Sequence, residues 1–153
     1  MTATPQTSAL NDELVTSYGM LVEANRRLQR TFERSLRDAH DLSLVAFEAL
    51  LRLGRSRDHQ MSMSQLADQM VLTSGGVTRL IDRLEGAGYV SRRPCVADRR
   101  VHWAQLTDAG LAAIEAATAT HVADLEVHFA AEMSPAEMST LTVVCERLRN
   151  DCG

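Results

Sequence analysis

The chain has 153 residues, 45% hydrophobic and 4% aromatic, and its 16 basic and 20 acidic residues give a formal net charge of −4. That length suits one domain, or one domain with a dimerisation arm, and the apolar fraction suffices for a buried core. There is no 18-residue apolar run, and MTATPQTSALNDE has neither a basic nor an apolar leader region, so the expectation is a cytoplasmic protein without a membrane span or signal peptide.

Along the chain, residues 11–38 place Leu14, Tyr18, Leu21, Leu28, Phe32 and Leu36 at spacings of three and four, one long amphipathic helix. Its own chain cannot cover a first helix of that length, which predicts a partner chain. Ser43 caps a second helix through Leu44, Phe47, Leu50 and Leu51 that ends near Gly54. Ser62 and Gln65 form a capping box that opens a short helix, SQLADQM. Thr73 caps the next helix, with Val77, Leu80, Ile81 and Leu84 on its buried face and Gly86 and Gly88 at its stop.

Residues 89–93 and 101–106 have strand character and flank PCVADR, a loop too long for a two-residue turn. Thr107 caps an alanine-rich helix with Leu111, Ile114, Val122, Leu125 and Phe129 inward. Ser134, Pro135 and Glu137 form a second capping box, opening a last helix through Leu141, Val144 and Leu148 in which Cys145 reads as core.

Charge is unevenly placed: 8 Arg against 9 acids in residues 1–72, 6 against 3 in 73–103, and 2 against 8 in 104–153, with no lysine anywhere. An acidic chain with one basic patch attracts a polyanion at that place only. Leading into the patch, LADQM-VLTS-GGVTRLIDRL is a pair of short helices three or four residues apart, followed by a hairpin with a basic loop. That order describes a winged helix-turn-helix, whose second helix enters the DNA major groove. Ser74, Thr78 and Arg79 lie on the outer face of that helix, and Arg83 one turn on reaches a phosphate or pairs with Asp98. Asp98, Arg99 and Arg100 give the hairpin tip the character of a minor-groove wing, with Asp98 orienting a guanidinium. Gly75 and Gly76 sit where helix amides are still unused, so their bare backbone can approach a phosphate closely.

The stretch MSMSQLADQMVLTSGGVTRLIDRLEGAGYVSRRPCVADRRVHWAQLTDAG resembles the MarR family of regulators: a capped helix, a T-R-L-I-D-R-L-E recognition helix, G-Y-V-x-R, a D-R-R wing and L-T-x-x-G follow in order. The resemblance covers residues 41–110 motif by motif and implies a mainly α fold. That fold is a winged helix-turn-helix with long N- and C-terminal dimerisation helices and a two-stranded β wing. It divides the chain into a dimerisation helix (1–40), a DNA-binding lobe (41–106) and C-terminal dimerisation helices (107–153). The implied partners are a second copy, through Leu14, Leu21, Leu141, Val144 and Leu148, and double-stranded DNA with a pseudo-palindromic operator. A repressor released by a small aromatic or lipophilic effector is the function it implies, with Tyr18, Arg26, Arg30 and Phe47 as pocket candidates. Gly75 and Gly76 depart from the larger polar residues that many members carry there, which narrows base reading to Ser74, Thr78 and Arg79.

Other chemistry finds less support. The cysteines Cys95, Cys145 and Cys152 are odd in number without a CxxC pair, against a disulfide framework or a zinc finger. A thiol-based redox switch at Cys95 is one alternative, since Arg92, Arg93 and Arg99 lie nearby in sequence. A winged-helix interaction module without DNA binding is another. His121 and His128 share a helix face but sit two turns apart, so no metal site is expected. No cofactor is expected either, and no catalytic motif such as G-x-S-x-G, H-E-x-x-H or a phosphate loop occurs.

Overall fold

Capping side chains set most helix boundaries in the computed structural model, which describes residues 11–94 and 102–151. The elements are α1 (Glu13–His40), α2 (Leu44–Arg55), β1 (Gln60–Ser62), α3 (Met63–Met70), α4 (Ser74–Gly86), β2 (Val90–Pro94), β3 (His102–Leu106), α5 (Asp108–His128) and α6 (Pro135–Asp151). Short 3-10 turns at Arg57–His59 and Ala130–Glu132 follow α2 and α5. Asp98, Arg99, Arg100, Cys95 and Cys152 lie outside the described residues.

Each cap read from the sequence satisfies an amide that the helix ladder leaves open. Ser43 Oγ accepts from the Ala46 amide at 3.2 Å, Thr73 Oγ1 from Gly76 at 3.1 Å, and Thr107 Oγ1 from Gly110 at 3.0 Å. Both arms of the Ser62–Gln65 box form, at 3.2 and 3.1 Å. At Ser134 the amide and then the hydroxyl donate to Glu137, and those bonds hold its carboxyl below the usual carboxylate value.

The core gathers on α2, whose Phe47, Leu50 and Leu53 are buried with Leu36 of α1, Leu66 of α3, Val77 and Ile81 of α4 and Ile114 of α5. The sheet has three strands, in the order β1-β3-β2, where the sequence predicted two. β3 pairs antiparallel with β2 (Val90 opposite Leu106) and with β1 (Ser62 opposite Trp103). Three residues, Gln60–Ser62, are too few for a periodic signal; they become a strand because β3 offers an unpaired edge.

The apolar stripe of α1 divides. Phe32 and Leu36 are buried beside α5, whereas Leu14, Tyr18 and Leu21 are 81%, 69% and 54% exposed. Val122 was expected inward on α5 but is exposed, and Cys145, expected as core, is exposed on α6. α5 keeps Ile114 inward, as expected, and turns Gly110 and Ala117 inward with it. Alanine on several sides of that helix leaves periodicity unable to choose a face. Among the described residues α6 packs extensively on no other element.

Candidate nucleic-acid interface

α3 and α4 are joined by the turn Val71-Leu72-Thr73. Val71 ends α3 with φ 53°, its amide donating to the Asp68 carbonyl at 3.2 Å, and the next amide, Leu72, reaches Ala67 at 3.0 Å. This left-handed geometry is unfavourable for a β-branched residue, yet Val71 lies almost fully in solvent. The reversal lets Leu72 turn inward and Thr73 cap α4.

Val77, Leu80, Ile81 and Leu84 anchor one face of α4 in the core, and Ser74, Gly75, Thr78, Arg79, Asp82 and Arg83 occupy the exposed face. The Thr78 hydroxyl donates to the Ser74 carbonyl at 2.9 Å, which leaves its lone pairs and methyl group to face a ligand. The Thr73 side chain and carbonyl take the Gly76 and Val77 amides. The Ser74 and Gly75 amides precede them, at helix positions without an intrahelical acceptor. The two glycines differ. A Cβ on Gly76 would lie 3.2 Å from Thr73 Oγ1, crowding the cap, whereas one on Gly75 would meet nothing within 4 Å. Among the described residues, Gly75 therefore has no packing reason.

The wing strand is fastened to this helix by a residue that the sequence marked only as a basic neighbour of Cys95. Arg92 of β2 donates to the Thr78 carbonyl at 3.2 Å and to the Asp82 carboxylate, and it lies 3.8 Å from Glu85. Its amide donates to Glu85 Oε1 at 3.1 Å. Asp82 and Glu85, three apart on the exposed face, were a weak signal, because nothing in sequence aims them at a strand. Behind the helix, Gly88 (φ 79°) closes a Schellman motif, with Tyr89 N–H on the Leu84 carbonyl at 2.9 Å. Thr107 then ties α5 to that turn, its amide on the Tyr89 carbonyl and its hydroxyl on the Gly88 carbonyl at 2.6 Å. A Cβ on Gly110 would sit 1.9 Å from the Tyr89 carbonyl oxygen, which accounts for the glycine in LTDAG.

The four effector candidates do not line one cavity. Tyr18, Arg26 and Arg30 share an open groove along α1. Phe47 is 2% exposed and lines a separate cavity of about 440 Å³ with Arg52 and His121. The His121 ring packs against Phe47 at 4.8 Å and edge-on against Phe32 at 4.9 Å. Burial lowers its pKa below the usual imidazole value, partly opposed by Asp124 and Glu48. Arg83 lies on the exposed face one turn after Arg79, as expected, and there it also lines a cleft against α1.

An exposed polar helix face, an anchored apolar face and a strand pinned alongside define a winged helix-turn-helix. The MarR family model matches residues 42–102. The regulator PecS of Dickeya dadantii is 33% identical over 99 residues, 64% of this chain and 57% of PecS, so the chain spans little more than half of that relative. YkoM of Bacillus subtilis, an uncharacterized HTH-type transcriptional regulator, is 31% identical over 124 residues, 80% of this chain and 79% of YkoM. The crystal structure of AbsC, a MarR family transcriptional regulator from Streptomyces coelicolor, superposes with a TM-score of 0.81 at 28% identity, covering 96% of this chain and 99% of AbsC. The chain belongs to the MarR family.

Proposed function

We propose that this protein is a sequence-specific DNA-binding transcriptional regulator, a homodimeric repressor that leaves a pseudo-palindromic operator when a small molecule binds. The observation that carries the reading is the exposed face of α4, with Ser74, Thr78 and Arg79 beside open amides and the opposite face fixed in the core. Arg79 supplies a bidentate donor to a guanine, and Asp98, Arg99 and Arg100 would follow the adjacent minor groove. The exposed Leu14, Tyr18 and Leu21 support a dimer, in which α1 and α6 would exchange apolar faces through Leu14, Leu21, Leu141, Val144 and Leu148. Two-fold symmetry then sets the recognition helices about 34 Å apart, one DNA turn. The protein acts in the cytoplasm, where its DNA is. No helix of the described residues is long and apolar enough to cross a membrane.

The test is fluorescence anisotropy on DNA from the region upstream of its own coding sequence, against unrelated DNA, over a salt series. A saturable preference for one palindromic site and a negative slope of log K against log salt are expected. Equal affinity for both DNAs at moderate salt would overturn the reading.

A further inference from the structure

The C-terminal half of α1 carries two arrangements of arginine. Arg27 and Arg37 each pair with an acid one turn earlier, Glu23 at 2.6 Å and Glu33 at 2.5 Å. Arg26, Arg30 and Arg34 instead stand at i, i+4 and i+8, all exposed, and among the described residues none of them makes an ion pair. Like charges at this spacing destabilise a helix, so the stripe has a cost within the chain. Arg83 of α4 lines a cleft together with the stripe, and it too is exposed and makes no ion pair among the described residues. Arg79 lies one turn before Arg83 on the same helix face, so positive charge continues from the start of the recognition helix onto α1. Five arginines and three acids line the cleft, a local positive excess in a chain of net charge −4.

We infer that Arg26, Arg30, Arg34 and Arg83 form a second DNA contact, which holds the phosphate backbone of the duplex between the two half-sites and reads no base. The inference rests on the DNA-binding homodimer proposed above. A dimer that joins through the exposed Leu14, Tyr18 and Leu21 places α1 on the dyad side of each α4, where the stripe faces the central segment of the operator. Eight residues of helix separate Arg26 from Arg34 by about 12 Å. Phosphates of one strand recur about every 3.4 Å of duplex axis, so the stripe spans roughly three of them. Guanidinium groups suit phosphate oxygens, and their exposure lets them meet a long rigid surface. Such contacts release counterions and position the protein without reading sequence.

The experiment uses the full chain and fluorescence anisotropy on the preferred palindromic site and on unrelated DNA, over a salt series. Each phosphate contact contributes about 0.9 to the slope of log K against log salt, so the double variant Arg30→Gln/Arg34→Gln, present twice in a dimer, should flatten it by up to about 3.6. It should weaken both DNAs by the same factor, roughly tenfold or more at moderate salt, and leave the preference for the site intact. Arg79→Ala should do the reverse and reduce the preference. Methylphosphonates in place of the phosphates between the half-sites should weaken the parent chain roughly tenfold and the double variant less than about twofold, because the two changes remove one interaction. Arg30→Lys/Arg34→Lys, which keeps the charge, should retain the slope and covers the case of a poorly folded glutamine variant. An unchanged slope in the glutamine variant, or an equal methylphosphonate penalty in parent and variant, overturns the inference. The two readings fail separately. An arginine-dependent slope without a preferred site keeps the stripe as a DNA contact and defeats sequence-specific regulation. A preferred site with an arginine-independent slope keeps the regulator and defeats the stripe.

Discussion

At Gly75 helix stability and the proposed DNA approach oppose each other. With open space around its Cα, Gly75→Ala should stabilise the fold, by up to about 1 kcal/mol and less near a helix end. The same substitution should weaken operator binding, because the methyl group stands between the backbone and a phosphate. Thermal melts and anisotropy on one variant check both signs; unchanged DNA affinity would remove close approach from the account. Arg79→Ala should lose about 1–3 kcal/mol on the preferred site and far less on unrelated DNA. Gly110 is the opposite case to Gly75. Its Cβ position overlaps a backbone carbonyl, so Gly110→Ala should destabilise by about 1–3 kcal/mol or more, read as a drop in Tm. Val71→Gly should relieve left-handed strain and gain about 1 kcal/mol in denaturant melts, since this side chain packs on almost nothing.

Between elements, the joints are made by single polar residues. Arg92 holds β2 to α4 through Thr78, Asp82 and Glu85, so Arg92→Gln should loosen the wing relative to the recognition helix. Hydrogen exchange should then rise at residues 90–93 while the α2 amides stay protected. At the junction of α1, α2 and α5, burial between Phe32 and Phe47 lowers the His121 pKa below the usual imidazole value, with Asp124 and Glu48 opposing it. An unfolded imidazole takes a proton near pH 6.5, whereas the folded one resists it to a lower pH. Its contribution is therefore complete above about pH 6.5 and is lost as the pH falls below that. Tm should drop on acidification from about pH 7 to about pH 5.5, and His121→Phe should flatten that dependence. An equal drop in both proteins would assign the acid sensitivity to other groups.

For the whole molecule, one chain taken alone leaves the N-terminal half of α1 unburied. Leu14, Val15, Tyr18, Met20 and Leu21 are all more than half exposed, and α6 adds Val143 and Leu148. Residues of that type on a helix of 28 residues are stable in water when another surface covers them. Leu21→Asp should shift sedimentation toward the monomer and lower operator affinity far more than it lowers helix content. A monomer that still binds the full palindrome with parent affinity would contradict the proposed dimer.

The sequence by itself determined the helices, their caps and the helix-turn-helix, because capping boxes, three-and-four periodicity and glycine stops are local and act within one turn. It also separated the buried face of α4 from Ser74, Thr78 and Arg79. What only the tertiary structure decided lies between elements that are distant in sequence. It recruited Gln60–Ser62 as a third strand, aimed Arg92 at Asp82, turned Arg83 toward α1 and separated Phe47 from the arginines of α1. It also exposed Val122 and Cys145, which local pattern had placed inward. Hydrophobic periodicity reports that a face is apolar, whereas the neighbour that covers it, and the atom a charged side chain reaches, depend on how the helices cross.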